Sequence, residues 1–385
     1  MTRTLEIEPE FGMDVFQMQL ESVAIVPRHG AYYFVKSGQR IVLSNEKDLE
    51  TLIDDGDVLY IVTTESDTYA LVLQFMPDQF AARFLSILRR YRFQRTVPPA
   101  PNVIAFDKKL FRCGQEYLQT HRHDALEVAK NVIPTHLNVL KAAGPDDIAL
   151  VKALASWFHR EFTFIKDVPC EACGHPTCRP SGRDMPGIAE ISHDAMTVEL
   201  YTCPTCHRTT RVPRYRDVAY LLTHWRRGRC GEFALAFTTL CLAVGLEARM
   251  VFDLADHVWV EYYDRQRRTF VHVDPCENAV DTPLMYEKGW GKQIDVVIAV
   301  GRGFSTEVTW RYTESRDRPA QSKWPRSYVC HFLLHRMAHF VAMNVDEVPA
   351  SNFDQVMADL ANLRKLRAEG HPTYGDAAKP RQSGS

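Results

Sequence analysis

Arg226-Arg227-Gly228-Arg229-Cys230-Gly231-Glu232-Phe233-Ala234-Leu235-Ala236-Phe237-Thr238-Thr239-Leu240 is the stretch whose reading decides the fold. A charged, glycine-containing turn runs without a break into an apolar segment, which predicts a helix opening at Cys230. At a helix start the dipole and the unpaired backbone N–H groups favour a sulfur anion, and the same N–H groups can receive an oxyanion. Gly231 lets a substrate approach the turn closely.

Working outward, Asp256-His257-Val258-Trp259-Val260-Glu261-Tyr262 alternates as a strand, and Phe270-Val271-His272-Val273-Asp274 forms a second after a turn at 264–268. Paired as an antiparallel hairpin, they can set His257 and Asp274 on one face. A thiol, an imidazole and a carboxylate are what a cysteine amidase needs as nucleophile, acid/base and orienter. Alone, each has a plainer reading, since a cysteine at a helix start is more often structural. Cys241 and Cys276 read as packing. His272 is the rival base, but it shares a strand with Asp274, two residues away.

Upstream, Cys170-x-x-Cys173 and Cys203-x-x-Cys206 form two knuckles separated by 29 residues. Four thiolates close a tetrahedral sphere, the structural arrangement for one Zn2+ ion. Cys178, His175, His193 or His207 can substitute for one ligand, and a redox dithiol is the bland alternative. The segment between the pairs, rich in Cys, Pro and Gly, holds one expected strand at 197–201.

The remaining chain sets bounds. Its 385 residues suit two or three domains, and 45% hydrophobic with 24% charged residues is ordinary globular composition. A net charge of −2 gives no global basic field for nucleic acid, and Arg226, Arg227 and Arg229 read as support for the turn. No apolar run reaches membrane-span length and the N-terminus lacks a secretory pattern, so no membrane insertion is expected. The ten cysteines are too sparse for a disulfide scaffold, which points to a reducing compartment. Strands are expected near residues 4–8, 32–35, 40–43 and 58–62, with a helix over Met13–Val26. Further helices are expected over 79–95, 123–143, 146–162 and 327–368.

With these motifs in hand the chain resembles cytoplasmic peptide:N-glycanases of the transglutaminase-like superfamily. The resemblance is carried by Pro213-Arg214-Tyr215, Arg226 to Glu232, His257 to Tyr262, Val271 to Glu277, both CxxC pairs, Trp157-Phe158 and Val308 to Tyr312. It spans about residues 80–340 and implies an α+β fold: a transglutaminase-like (papain-like) cysteine hydrolase core with a four-Cys zinc-binding lobe. Separately, the strand, helix, strands order from Thr4 to Val62 resembles a small ubiquitin-like β-grasp domain preceding it, the plainer readings being an unrelated small α+β domain or a sheet extension of the core. The expected domains are 1–66 β-grasp, 67–102 linker helix, 103–340 catalytic core with its zinc insert at 166–214, 341–370 C-terminal helix and 371–385 disordered tail. The implied activity is removal of N-linked glycans from misfolded glycoproteins in ER-associated degradation, with Cys230 as nucleophile, His257 as acid/base and Asp274 as orienter. Arg249, Trp259, Glu261, Glu277 and Trp290 match cleft-lining positions, so they are expected to bind substrate.

Misfolded N-glycoproteins, ubiquitin-shuttle receptors, the proteasome and an AAA ATPase segregase are the implied partners, in the cytoplasm or nucleus. The sequence departs from the pattern at Phe164, where the family usually has Trp, and at Arg216-Asp217-Val218. Two alternatives stand beside this reading. One is an inactive adaptor, as in the transglutaminase-like domain of a DNA-damage recognition factor. The other is a true transglutaminase or thiol amidase of the same fold.

Overall fold

The computed structural model describes five strands between residues 3 and 75, residues 101–137, 147–302 and 304–315, and scattered positions from 355 to 372. The chain divides into two compact units, one mainly before Lys108 and the other mainly Lys108–Arg302 with Thr306–Ala320 and Ala358–Ser385. In the first unit, β1 (Arg3–Ile7), β2 (Ala31–Lys36), β3 (Gln39–Val42), β4 (Val58–Val62) and β5 (Thr68–Phe75) form a sheet of order β1-β5-β4-β2-β3. Leu5 pairs with Leu73 in the parallel β1–β5 ladder, and Lys36 faces Gln39 in the β2–β3 hairpin. The fifth strand lies beyond residue 66. Its run Thr68-Tyr69-Ala70-Leu71-Val72-Leu73 is apolar at nearly every position, as in strands paired on both edges, so a two-residue period does not reveal it. The helices expected over Met13–Val26 and 79–95 lie outside the described residues, as do most of 327–368 and the tail beyond 372.

Next in the chain come α1 (Pro101–Gln119), which runs into the second unit at Lys108, then α2 (His123–Val132) and α3 (Asp147–Glu161). Sequence reading runs α2 on to residue 143, but Ile133 turns extended at φ −69°, ψ 125°. Pro134 explains the stop, because proline disfavours helical geometry in the residue before it. A further long helix, α4 (Cys230–Ala243), is buried on nearly every side, as its uniformly apolar sequence requires. Phe158 of α3 meets Phe233 and Phe237 of α4 edge-on, with ring centroids 5.2 and 5.5 Å apart.

The main sheet that α4 packs against contains β11 (Ala248–Asp253), β12 (His257–Asp264), β13 (Thr269–Asp274), β14 (Ala279–Val280), β15 (Val297–Gly301) and β16 (Phe304–Glu307), in the order β14-β13-β12-β11-β15-β16. A separate three-stranded sheet, β7 (Arg179–Asp184), β8 (Val198–Thr202) and β9 (Thr209–Pro213), builds the cysteine-rich lobe. The expected strand at 197–201 is its central member.

One cluster of four charges is sealed inside the second unit. Arg249 of β11 donates to Glu261, its ladder partner on β12, at 2.6 Å and to Asp359 at 2.7 Å. Arg311 donates to Glu261 at 2.7 Å and also to Asp359. Tyr312 Oη donates to Glu261 at 2.6 Å, and the Arg249 guanidinium lies 3.5 Å from the centroid of the Phe270 ring. Burial opposes ionisation of Glu261 and Asp359, but the two guanidiniums hold both carboxyls below the usual range. The stability they contribute is complete above about pH 4 and is lost as pH falls toward their lower folded values. Glu261→Ala would leave two guanidiniums facing one carboxylate, and urea unfolding should show a loss of about 3–5 kcal/mol. Unchanged stability would mean the network is not held as described.

Candidate active site

The turn before α4 is held from two sides. Short strands β6 (Thr163–Phe164) and β10 (Arg227–Gly228) pair in parallel, with Thr163 N–H donating to Arg226 O at 2.9 Å and Ile165 N–H to Gly228 O at 2.8 Å. Arg226 takes the left-handed conformation, φ 41°. The backbone N–H of Arg229, at the helix N-cap, donates to the Glu232 carboxylate at 3.0 Å. That carboxylate also receives Nε and Nη2 of Arg214, at 2.5 and 2.8 Å, while Arg214 Nη1 reaches Glu199 of β8 at 2.9 Å. Cys230 therefore starts a capped helix whose cap is tied to the lobe, and it keeps partial exposure. Phe164, paired with Gly228, offers no N–H toward the turn; its ring packs edge-on against Phe233 at 5.6 Å.

The hairpin registers Glu261 opposite His272 and Val260 opposite Val273. One step further, Asp274 faces Trp259, so His257 and Asp274 are diagonal neighbours on one face. Their side chains meet at 2.8 Å, His257 Nε2 to Asp274 Oδ2, with 1% and 0% exposure. Burial works against a charged imidazole, but the charge and hydrogen bond of Asp274, with Cys230 adding to them, push His257 up to about 9. Burial likewise opposes the Asp274 carboxylate, which His257 and the surrounding hydrogen bonds nevertheless hold below the usual range. His257 Nδ1 is buried and makes no hydrogen bond of ordinary geometry, while Cys230 is near enough to add to the upward shift of the ring.

The lobe brings Cys170, Cys173, Cys203 and Cys206 together, with all four sulfurs within 4.8 Å of one another. Cys170 and Cys206 are 3.5 Å apart and Cys173 and Cys203 3.6 Å. A tetrahedral ion with ~2.3 Å bonds to sulfur needs edges near ~3.8 Å, so this group can hold a metal. The N–H groups of Thr205 and Cys206 point at Cys203 Sγ from 3.4 and 3.5 Å, which supports a thiolate there. Of the substitutes considered from sequence, His193 is engaged with Asp217 at 3.2 Å and stacked on Tyr220, while Cys178 joins the small core around the cluster.

Residues expected to bind substrate divide in two. Trp290 is half-buried with its ring 5.1 Å from that of His257, and Glu277 is 7% exposed nearby in sequence to Asp274. Arg249, Trp259 and Glu261 are 3%, 0% and 0% exposed. The first and third belong to the sealed charge network, and Trp259 stacks on Tyr286 at 4.4 Å. Sequence reading passed over Glu232 as a cap, although a Glu three residues after an N-cap is a known signal. It also passed over Tyr286, which no local pattern marks.

These features define a protein of the transglutaminase-like superfamily, and a family model for that superfamily matches residues 188–275. A rice peptide-N(4)-(N-acetyl-beta-glucosaminyl)asparagine amidase is 32% identical over 79% of this chain and 72% of its own length. The Arabidopsis thaliana enzyme of the same name is 29% identical over 80% of this chain, which spans only 44% of that protein. The Yarrowia lipolytica one is 34% identical over 61% of this chain and 66% of its own length. The chain belongs to the peptide-N(4)-(N-acetyl-beta-glucosaminyl)asparagine amidase family. Among solved structures, Rad4–Rad23 crosslinked to an undamaged DNA superposes with a TM-score of 0.46 at 11% identity, over 72% of this chain and 62% of that one, a likeness too slight to bear on function.

Gly228 is where this site tolerates least. A Cβ there would stand 2.5 Å from Glu232 Cβ and 3.0 Å from its Cγ. Gly228→Ala should displace the cap and lower stability by about 1–3 kcal/mol, read as a drop in melting temperature. An unchanged melt would show that the turn is not so tightly held.

Proposed function

We propose that this chain hydrolyses the amide bond between an asparagine side chain and the first N-acetylglucosamine of an N-linked glycan, leaving aspartate. The observation that supports the reading is the imidazole of His257, clamped through Nε2 by a buried carboxylate and raised further by Cys230, a cysteine at a helix start. In the proposed cycle, Cys230 Sγ attacks the carboxamide carbon while the N–H groups of the α4 turn receive the developing oxyanion. His257 protonates the departing glycosylamine and a thioester remains on the former asparagine. His257 then takes a proton from water, which adds to the thioester carbon and releases Cys230. Asp274 keeps the ring in the tautomer that exposes Nδ1. With Phe164 in place of Trp, backbone donors carry the oxyanion.

Trp290, beside His257, is the aromatic surface that suits a sugar ring, and Glu277, three residues after Asp274, is the proposed polar partner. The four-cysteine site would hold a structural zinc ion, closed to water and separate from the chemistry. Misfolded glycoproteins in ER-associated degradation are the proposed substrates, in the cytoplasm. No described helix is long and apolar enough to cross a membrane. The front sheet is assigned as a ubiquitin-like domain that docks shuttle receptors, the proteasome or an AAA ATPase segregase.

Incubation with a denatured high-mannose glycoprotein should release intact glycan and convert the glycosylated Asn to Asp, detected by peptide mass. Cys230→Ala should lose at least ~10³-fold of that rate. The rate should fall as pH rises through about 9, because the imidazolium that protonates the leaving amine is then lost. Amine incorporation in place of hydrolysis, or full activity in Cys230→Ala, would overturn the assignment.

Elemental analysis should find one zinc per chain. Cys203→Ser should lose the ion and expose residues 170–213 to limited proteolysis, since metal binding is part of that lobe's folding free energy. A metal-free wild-type protein with an intact lobe would refute the role.

A further inference from the structure

His272 lies on the same face as the proposed triad and takes no part in it, and Tyr286 stands between it and Asp274. We infer that His272 and Tyr286 are positioning residues that fix the direction of the hydrogen bond holding the Asp274 carboxylate against His257. The inference deepens the proposed amidase reading and rests on it for its meaning.

The direction follows from one end of the chain of bonds. The backbone N–H of Thr282 donates to His272 Nδ1 at 3.3 Å, so that nitrogen carries no proton. Burial keeps the ring neutral, pulled down to about 4, so its one hydrogen sits on Nε2. His272 Nε2 lies 2.7 Å from Tyr286 Oη and can only donate to it. The tyrosine oxygen is thereby used as an acceptor, and its own hydrogen goes to Asp274 Oδ2 at 3.1 Å.

Oδ2 thus receives Tyr286 and His257 together, while Oδ1 receives the Cys276 N–H at 2.9 Å. Three donors on a fully buried carboxylate leave it one orientation. The Tyr286 ring is itself locked, stacked on Trp259 at 4.4 Å and edge-on to Trp290 at 4.9 Å. A reversed polarity would set a hydroxyl lone pair against the carboxylate, so the backbone at residue 282 selects the productive arrangement.

Other charged or titratable groups face these rings from each neighbouring element. They are Cys230 of α4, Asp253 of β11 with its Lys292 partner, Glu261 of β12 with Arg311, Cys276 and Glu277 after β13, and Tyr312. Of these, Cys276 also reaches the Asp274 carboxylate through its thiol, while Tyr286 is the hydroxyl that donates to Oδ2.

The test follows His257 directly, by titration of ¹³Cε1-histidine resonances, with its signal assigned by loss in His257→Gln. Tyr286→Phe keeps the ring and removes only the donor. Without that donor more of the carboxylate charge falls on His257, whose midpoint should rise by roughly half a pH unit. The rate kcat should fall about tenfold with KM unchanged, the size expected for one hydrogen bond to a charged group. His272→Leu should act in the same direction, and the double variant should be no worse than Tyr286→Phe alone. His272→Gln, which keeps an N–H where Nε2 stood, should restore most of kcat. A midpoint unmoved in Tyr286→Phe, or effects that add in the double variant, would overturn the inference. The titration needs no glycoprotein substrate, so its outcome is separate from whether glycan is released.

Discussion

One carboxylate joins the two halves of the site. Glu232 caps the helix that begins at Cys230 and, with the same two oxygens, accepts a forked pair of bonds from Arg214. Arg214 leaves the end of β9 and spends its third nitrogen on Glu199 of β8. Charge-assisted, two-pronged bonds of this kind fix geometry as well as energy. The sulfur is therefore placed by the lobe as much as by its own helix, and the lobe's strands are in turn gathered by four cysteines. A metal held by those cysteines would acquire a mechanical line to Cys230.

On the other side of the site the wall is dry and aromatic. Trp259, Tyr286 and Tyr312 are all but sealed from solvent and enclose His272, while Trp290 closes the edge nearest His257. Excluding water strengthens every hydrogen bond in that wall and makes an unmatched one costly. This is why a carboxylate with no exposure can stay ionised beside a charged imidazole.

What could be read from sequence divides along the range of the interactions. Cys230, His257 and Asp274 stood out because each is a reactive type at a telling place, a helix start or an alternating strand, and the hairpin brings the last two together. Both CxxC pairs were equally plain, since the spacing itself is the signal. Arg249 and Glu261 were harder. On alternating strands charged residues usually face water, and the groups that enclose them lie far along the chain, Arg311 fifty residues from Glu261 and Asp359 110 from Arg249. Their expected place at a substrate came from resemblance and not from local pattern. Pro134, a local signal, ends the second helix short of its apolar pattern. The strand at Thr68–Phe75 was hidden by its own uniform apolarity.

The sealed tetrad of Arg249, Glu261, Arg311 and Asp359 has a consequence for how such a chain can change over time. Its charges balance only as a group, so drift at one position meets a barrier that drift at all four together would not. A well-packed apolar quartet would serve the fold as well, yet every stepwise route to it passes through an uncompensated ion in the interior. The arrangement is thus a ratchet, kept by the difficulty of leaving it.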